Sequence, residues 1–165
     1  MTGILILTTG GTIDKLYFDA LSEYQIGDSV VDRLLKTARV TQPVRVVEVM
    51  RKDSLELTDA DRAAIVDAVR SAPETRIVIT HGTDTMTDTA AALGEVAHNG
   101  RGKTVALLGA LAPARFADSD ATFNLGMAIA TVQIAPPGVY VAMNGTVFPA
   151  AAVRKDRAAN AFVAR

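Results

Sequence analysis

Cysteine and tryptophan are missing from this chain, aromatics make up only 5% of it, and its 165 residues include just two histidines. Without cysteine there are no disulfides, no thiolate metal sites and no cysteine nucleophile, and redox chemistry leaves the compartment open. His81 and His98 stand far apart, which argues against a histidine metal site, and no metal is expected. Neither sign of charge dominates: 17 basic residues face 18 acidic ones, for a net charge of -1. Nothing here resembles the footprint of a nucleic-acid binder. Basic residues cluster only briefly, at Arg154-Lys155-Asp156-Arg157, and an acid interrupts them. No apolar run is long enough to span a bilayer, so no membrane partner is expected. The chain enters an apolar segment within three residues of Met1, without a basic leader or a small-residue cleavage site. That start reads as a cytoplasmic protein.

What is present is a rhythm. Hydrophobic content of 49% with 21% charge suits a domain with a real core, and the length suits one domain. Short β-branched or Leu-rich runs at 3–8, 44–50, 76–80, 103–108 and 138–144 alternate with helix-period segments at 29–39, 59–71, 85–99 and 121–134. The second helix repeats Ala64, Ile65, Ala68 and Val69 on one face, with Thr58 placed as its N-cap. Strands alternating with helices predict an α/β fold: three layers, with a mostly parallel five-stranded sheet between helices. Right-handed crossovers favour the flavodoxin-like, Rossmann-like order 2-1-3-4-5. In that order the loops after strands 1 and 3 leave in opposite directions and open a crevice between them. Residues 14–28 show no regular pattern but carry Tyr17, Phe18 and Tyr24. A connection that long with aromatics in it reads as a lid.

Both crevice loops are threonine-glycine turns: Thr8-Thr9-Gly10-Gly11-Thr12 after strand 1, and His81-Gly82-Thr83-Asp84-Thr85 after strand 3. Paired glycines let a backbone approach a ligand and present N–H groups to an anion, while the next residue projects its side chain. Two hydroxyls and the Asp84 carboxylate on one crevice make a site for attack on an amide or ester. Each loop also has a plainer reading. Thr12 fits a tight turn with its hydroxyl bonded to backbone, Asp84 and Thr85 fit a helix cap, and His81 fits a hydrogen-bonded structural residue. An alcohol nucleophile needs a proton acceptor, for which a lid tyrosine, Asp84 or a partly buried lysine are available. By spacing alone Lys155 reads as a solvated surface residue.

TTGGTID, ITHGTDTM, LLGAL, TFNL, MNGTVF and VRK, in that order, resemble the N-terminal domain of bacterial-type L-asparaginases. The likeness runs along nearly the whole chain, and residues 1–165 read as that domain, close to the family's short single-domain members. It implies an amidohydrolase that turns L-asparagine into L-aspartate and ammonia, with weaker or no activity on glutamine, and needs no cofactor. By the same resemblance Thr12 is the nucleophile, Thr83 the second catalytic threonine, and Asp84 and Lys155 its partners. Tyr24, or Tyr17 if the lid folds differently, assists Thr12. Ser54 grips the substrate carboxylate, Asp53 helps with the amine, and Gly11, Gly82 and Thr83 supply backbone, with the Gly11 and Thr83 N–H groups as the oxyanion hole.

The likeness also has gaps. Family members usually continue into a smaller domain that lends an acid to a neighbour's site, whereas this chain stops ten residues past Lys155. A substitute acid such as Asp53, Asp118 or Asp120 is then expected, with the site completed in a homodimer or homotetramer. Phe116, Phe123, Phe148 and Phe162 are candidates for the dimer surface or for the core. Where the family has its MRP turn, this chain has Leu111-Ala112-Pro113. Two rival readings stand beside the enzyme. One is a non-catalytic amino-acid sensor, for which Lys155 would be superfluous; the other is a nucleotide binder, for which GxGxxG and a P-loop lysine are lacking.

Overall fold

In the first strand, Ile4 and Ile6 alternate with Leu5 and Leu7, and all four are buried. A strand apolar on both faces needs cover on both, and each such side chain contributes roughly 1.5–3 kcal/mol on burial. A computed structural model, which describes residues 3–99 and 102–165, shows that cover. Leu5 and Leu7 join one core cluster and Ile4 and Ile6 another, on opposite faces of the sheet.

Strand β1 (Ile4–Gly10) leads into a hairpin, β2 (Lys15–Phe18) with β3 (Glu23–Ile26), then α1 (Val31–Thr37), β4 (Val44–Lys52) and α2 (Asp59–Ser71). There follow β5 (Arg76–Thr80), α3 (Met86–Ala92), α4 (Gly94–His98), β6 (Thr104–Leu108), α5 (Ala121–Ile134) and β7 (Gly138–Met143). The chain closes with β8 (Thr146–Pro149) and a second hairpin, β9 (Val153–Asp156) with β10 (Ala161–Ala164). Helices α2, α3 and α4 cover one face and α1 and α5 the other. The sheet runs β4-β1-β5-β6-β7-β8. Its first five strands are parallel and stand in the expected 2-1-3-4-5 order.

Three details correct the sequence reading. The sheet has a sixth strand, β8, which returns antiparallel to β7 through Asn144-Gly145, both at positive φ. Asn-Gly is the favoured pair for such a two-residue turn. The expected helix at 85–99 is two, divided at Leu93 and Gly94, where glycine weakens helix. Residues 14–28 are a β-hairpin, not an irregular loop, in which Tyr17 lies opposite Tyr24. Residues 153–164 form a further hairpin, anchored in the core by Val153 and Phe162. Of the four phenylalanines considered for the dimer surface or the core, Phe148 and Phe162 are core, whereas Phe116 and Phe123 are exposed. Thr58 caps α2 as expected, with Asp61 reciprocating in a capping box.

Candidate active site

Strand β1 lies between β4 and β5, so the loops following all three strands meet at one edge of the sheet. Backbone is in contact there. Gly11 has φ 90, and any Cβ on it would sit 2.5 Å from the Gly82 Cα; a Cβ on Gly82 would sit 2.6 Å from that of Ser54. Glycine is required at both places by a contact that a side chain would block. The two threonine-glycine loops are therefore neighbours, with the Ser54 turn against them.

Around the second loop the polar groups are tightly engaged. Lys155 Nζ donates to Thr83 Oγ1 and to Asp84 Oδ1, each at 2.8 Å. Strand β9 delivers this lysine: its neighbours Val153 and Phe162 sink into the core, which leaves the Lys155 side chain only 12% exposed. A charged amine loses hydration at that depth and needs the carboxylate beside it. The Asp84 N–H donates to Ser54 Oγ at 3.2 Å, and Thr85 Oγ1 donates to the Ser54 carbonyl at 2.7 Å. Helix α3 begins with no side-chain cap. The capping reading of Asp84 and Thr85 is thereby set aside, because both side chains turn elsewhere.

His81 underlies this loop and is fully buried. Its Nδ1 lies 2.7 Å from the Gly82 carbonyl and its Nε2 2.8 Å from Thr89 Oγ1. A neutral ring with the proton on Nδ1 satisfies both contacts. Burial holds its pKa down at about 4, which suits the structural role read from the sequence.

The Thr12 side is different. Thr12, Lys15, Tyr24, Pro113 and Phe116 line a pocket of about 240 Å³. Tyr24 is half exposed and packs edge-on against Tyr17 at 5.5 Å and Phe116 at 6.0 Å between ring centres. Tyr24 borders the pocket; Tyr17 stands behind it. Larger cavities of about 550 and 520 Å³ lie elsewhere, the first against Ala72 and Lys103 and the second against Ala90 and Val139. Neither is lined by any of the groups just described.

At its base the hairpin is well fastened. Asp14 is buried, and its carboxylate accepts the Val30 N–H at 2.9 Å. Burial raises its pKa to about 6. Its carbonyl accepts from the Gly27 N–H, and the Arg115 guanidinium reaches both the Asp14 and the Asp28 carbonyls.

Two expectations change on this geometry, at Gly11 and at Asp120. The Gly11 N–H donates to the Lys52 carbonyl at 3.0 Å, so it is not a donor to a developing oxyanion. Among the described residues no hydrogen bond engages the N–H of Thr12 or Thr83. Asp120 accepts from the Leu111 and Ala112 N–H groups and from Asn124 Nδ2, which makes it an internal brace, not an acid to lend. Asp53 accepts the Leu55 N–H and pairs with Lys15 at 3.2 Å. Burial would raise its pKa, but that N–H, Lys15 and the charge of Lys155 together hold it below the usual carboxylate range. Sequence reasoning missed Lys15, Pro113 and Phe116 as pocket residues. Lys15 had a signal in its place three residues after Thr12. Among the described residues no cluster of three His, Asp or Glu could hold a metal, and no helix is long and apolar enough to cross a membrane.

A family model for the asparaginase N-terminal region matches residues 3–164. The chain belongs to the asparaginase family. Its relatives include the glutaminase-asparaginase of Acinetobacter glutaminasificans, 30% identical over 92% of this chain and 49% of the relative. L-asparaginase 2 of Escherichia coli is 31% identical over 94% of this chain and 47% of its own length. Among solved structures, L-asparaginase I of Vibrio cholerae superposes with a TM-score of 0.84 at 27% identity, over 99% of this chain and 51% of that one. This asparaginase-family chain thus spans about half the length of the relatives it matches.

Proposed function

We propose that residues 1–165 form an amidohydrolase unit that converts L-asparagine to L-aspartate and ammonia, with weaker or no action on L-glutamine. One observation carries this reading: Lys155 Nζ lies at hydrogen-bond distance from both Thr83 Oγ1 and Asp84 Oδ1, on a loop in backbone contact with the Thr12 turn. A binding module has no use for an amine poised between a hydroxyl and a carboxylate.

In this mechanism Thr12 Oγ attacks the side-chain amide carbon, and its proton passes by way of Tyr24 toward the leaving nitrogen. The C–N bond breaks and ammonia departs, leaving an aspartyl ester on Thr12. Water, relieved of a proton through Thr83, Lys155 and Asp84, then cleaves the ester and restores the Thr12 hydroxyl. The unengaged N–H groups of Thr12 and Thr83 face the developing oxyanion, a preorganised contribution of a kind usually large in acyl transfer. Ser54, Asp84 and the Gly82 backbone hold the amino-acid end. No cofactor enters. Cytoplasmic location and assembly as a homodimer or homotetramer complete the proposal.

The test is ammonia release from L-asparagine by the wild type, Thr12→Ala, Thr83→Ala and Lys155→Met. Turnover by the wild type and its loss in the variants is expected; equal, background-level release by all four proteins would overturn the reading. A sensor would bind asparagine and release nothing. A second reading follows from the fact that only Thr83 has an amine on its hydroxyl: Thr83, not Thr12, carries the acyl group. Peptide mass spectrometry of acid-quenched enzyme separates the two.

A further inference from the structure

Asp14 has no step in the mechanism above, yet it stands at the hinge of the hairpin that walls the Thr12 pocket. Ile13 before the hairpin and Val30 and Val31 after it are sunk in the core, whereas residues 17–25 between them are all exposed. The hairpin buries little surface of its own, and its outer part meets the body of the domain through Tyr24 on Phe116, so its position is set at its base. Asp14 closes that base twice: its carboxylate accepts the Val30 N–H and its carbonyl the Gly27 N–H, each at 2.9 Å. We propose that Asp14 is a protonation-dependent latch and thereby a positioning residue for the Thr12 pocket: neutral, it holds the hairpin down with Tyr24 against Phe116, and ionised, it lets the hairpin lift. The inference goes beyond the proposed function, since it concerns a movement and needs no turnover.

The charged form of Asp14 is poorly provided for. Asp14 is 2% exposed, a depth at which an ionised carboxylate needs an ion pair or several donors. It has the single Val30 N–H and, among the described residues, no ion pair. Three charged side chains face it from the neighbouring elements. Arg115 spends its guanidinium on the Asp14 and Asp28 carbonyls, and Arg51 of β4 pairs with Glu48 and Asp28. Burial raises the Asp14 pKa to about 6 in spite of the Val30 N–H and both arginines, and Glu48 adds to the rise. Lifting the hairpin returns the carboxylate to water, where its ordinary value is 3.8. Between those values the closed form binds the extra proton. Closure is therefore firmest below about pH 4, and that share of it is lost as pH rises through about 6. Full exposure of the carboxylate on opening raises the open-to-closed ratio by about tenfold from about pH 5 to about pH 7.

The amides that Asp14 itself holds report on the latch. Hydrogen exchange at Gly27 and Val30, corrected for the pH dependence of free-peptide exchange, is followed from about pH 5 to about pH 7 in the wild type, Asp14→Asn and Glu48→Gln. Protection in the wild type is expected to fall by about tenfold across that range. Asp14→Asn keeps an acceptor for the Val30 N–H without a charge, so its protection stays constant within about twofold, and Glu48→Gln keeps most of the step. The pocket wall is read by fluorine NMR of protein labelled with 3-fluorotyrosine. The Tyr24 signal, identified by its loss in Tyr24→Phe, moves with the wild-type step and stands still in Asp14→Asn. A step that persists in Asp14→Asn, a wild type without one, or a Tyr24 signal indifferent to it would overturn the proposal. So would exchange at Gly27 and Val30 no faster than at residues 77–80, because only global unfolding would then free them. Thermal melts check that the variants are folded. If Asp14→Asn does not fold, the carboxyl-carbon titration of Asp14 in the wild type replaces it: a midpoint shared with the Tyr24 signal supports the latch, and separate midpoints sink it. Ammonia release is read separately, so this inference and the amidohydrolase reading can fail independently.

Discussion

The Thr83 side and the Thr12 side of the crevice present the same residue type on similar loops, but they are built to different standards. Thr83 is 8% exposed, its hydroxyl is held by Lys155, and the loop rests on buried His81 and Ser54. Thr12 faces an open pocket whose outer wall is a two-stranded hairpin with Tyr17 and Tyr24 about half exposed. Hairpins of two strands are marginal in water without further packing. One threonine is thus preorganised by the core, and the other depends on an element fastened at its base. On the proposed function, such a division lets substrate enter on the loose side while the groups around Thr83 stay in place.

The largest expected effect comes from breaking the rigid side. Thr83→Ala and Lys155→Met should each lower the rate of ammonia release by about 10³-fold or more, and the double variant should be scarcely worse than either, since groups acting as one unit are non-additive. Additive losses in single-turnover assays would dissolve the unit.

Stability against pH comes next. His81 is held at about 4 by burial, against an ordinary 6.5. Between those values the unfolded chain binds the extra proton, so stability rises with pH across that window, by about 3 kcal/mol in all. Asp14, raised by burial from 3.8 to about 6, works oppositely. The folded chain binds the extra proton between those values, and stability falls with rising pH by about 3 kcal/mol. The two slopes offset one another in the wild type from about pH 4 to about pH 6. Asp14→Asn should unmask the rise and stabilise the protein at pH 7; His81→Gln should unmask the fall. Denaturant midpoints at half-unit pH steps check both, and parallel profiles for the two variants would refute the assignment.

A smaller effect sharpens the loose side. Tyr24→Phe should reduce kcat by about tenfold, because Tyr24 borders the Thr12 pocket, and Tyr17→Phe by no more than about twofold. A reversed order would mean that the hairpin closes in another register. The mildest test leaves every residue unaltered: backbone amides at 16–25 should exchange hydrogen faster than those at 77–80, and equal protection would erase the contrast between the two sides.

Much of this was legible in the sequence. The five parallel strands and their order followed from apolar runs alternating with helix-period segments, and the Thr-Gly turns marked the strand ends where chemistry gathers. Other parts were not. The β2–β3 and β9–β10 strands are four residues each, too short for a period-2 pattern to stand out, and β8 was readable only from Asn144-Gly145. Helix 85–99 looked continuous because periodicity survives a single glycine.

Local sequence by itself determined which segments become strands and helices, and that two glycine-rich turns must end in threonines, because steric freedom and side-chain periodicity are properties of neighbouring residues. Tertiary structure alone decided that Lys155 meets Thr83 and Asp84 across more than seventy positions, that the Gly11 N–H is consumed by Lys52, and that Lys15 faces Asp53. Those pairings depend on the burial of Val153 and Phe162 and on the meeting of three loops at one sheet edge. Spacing along a chain has no knowledge of either.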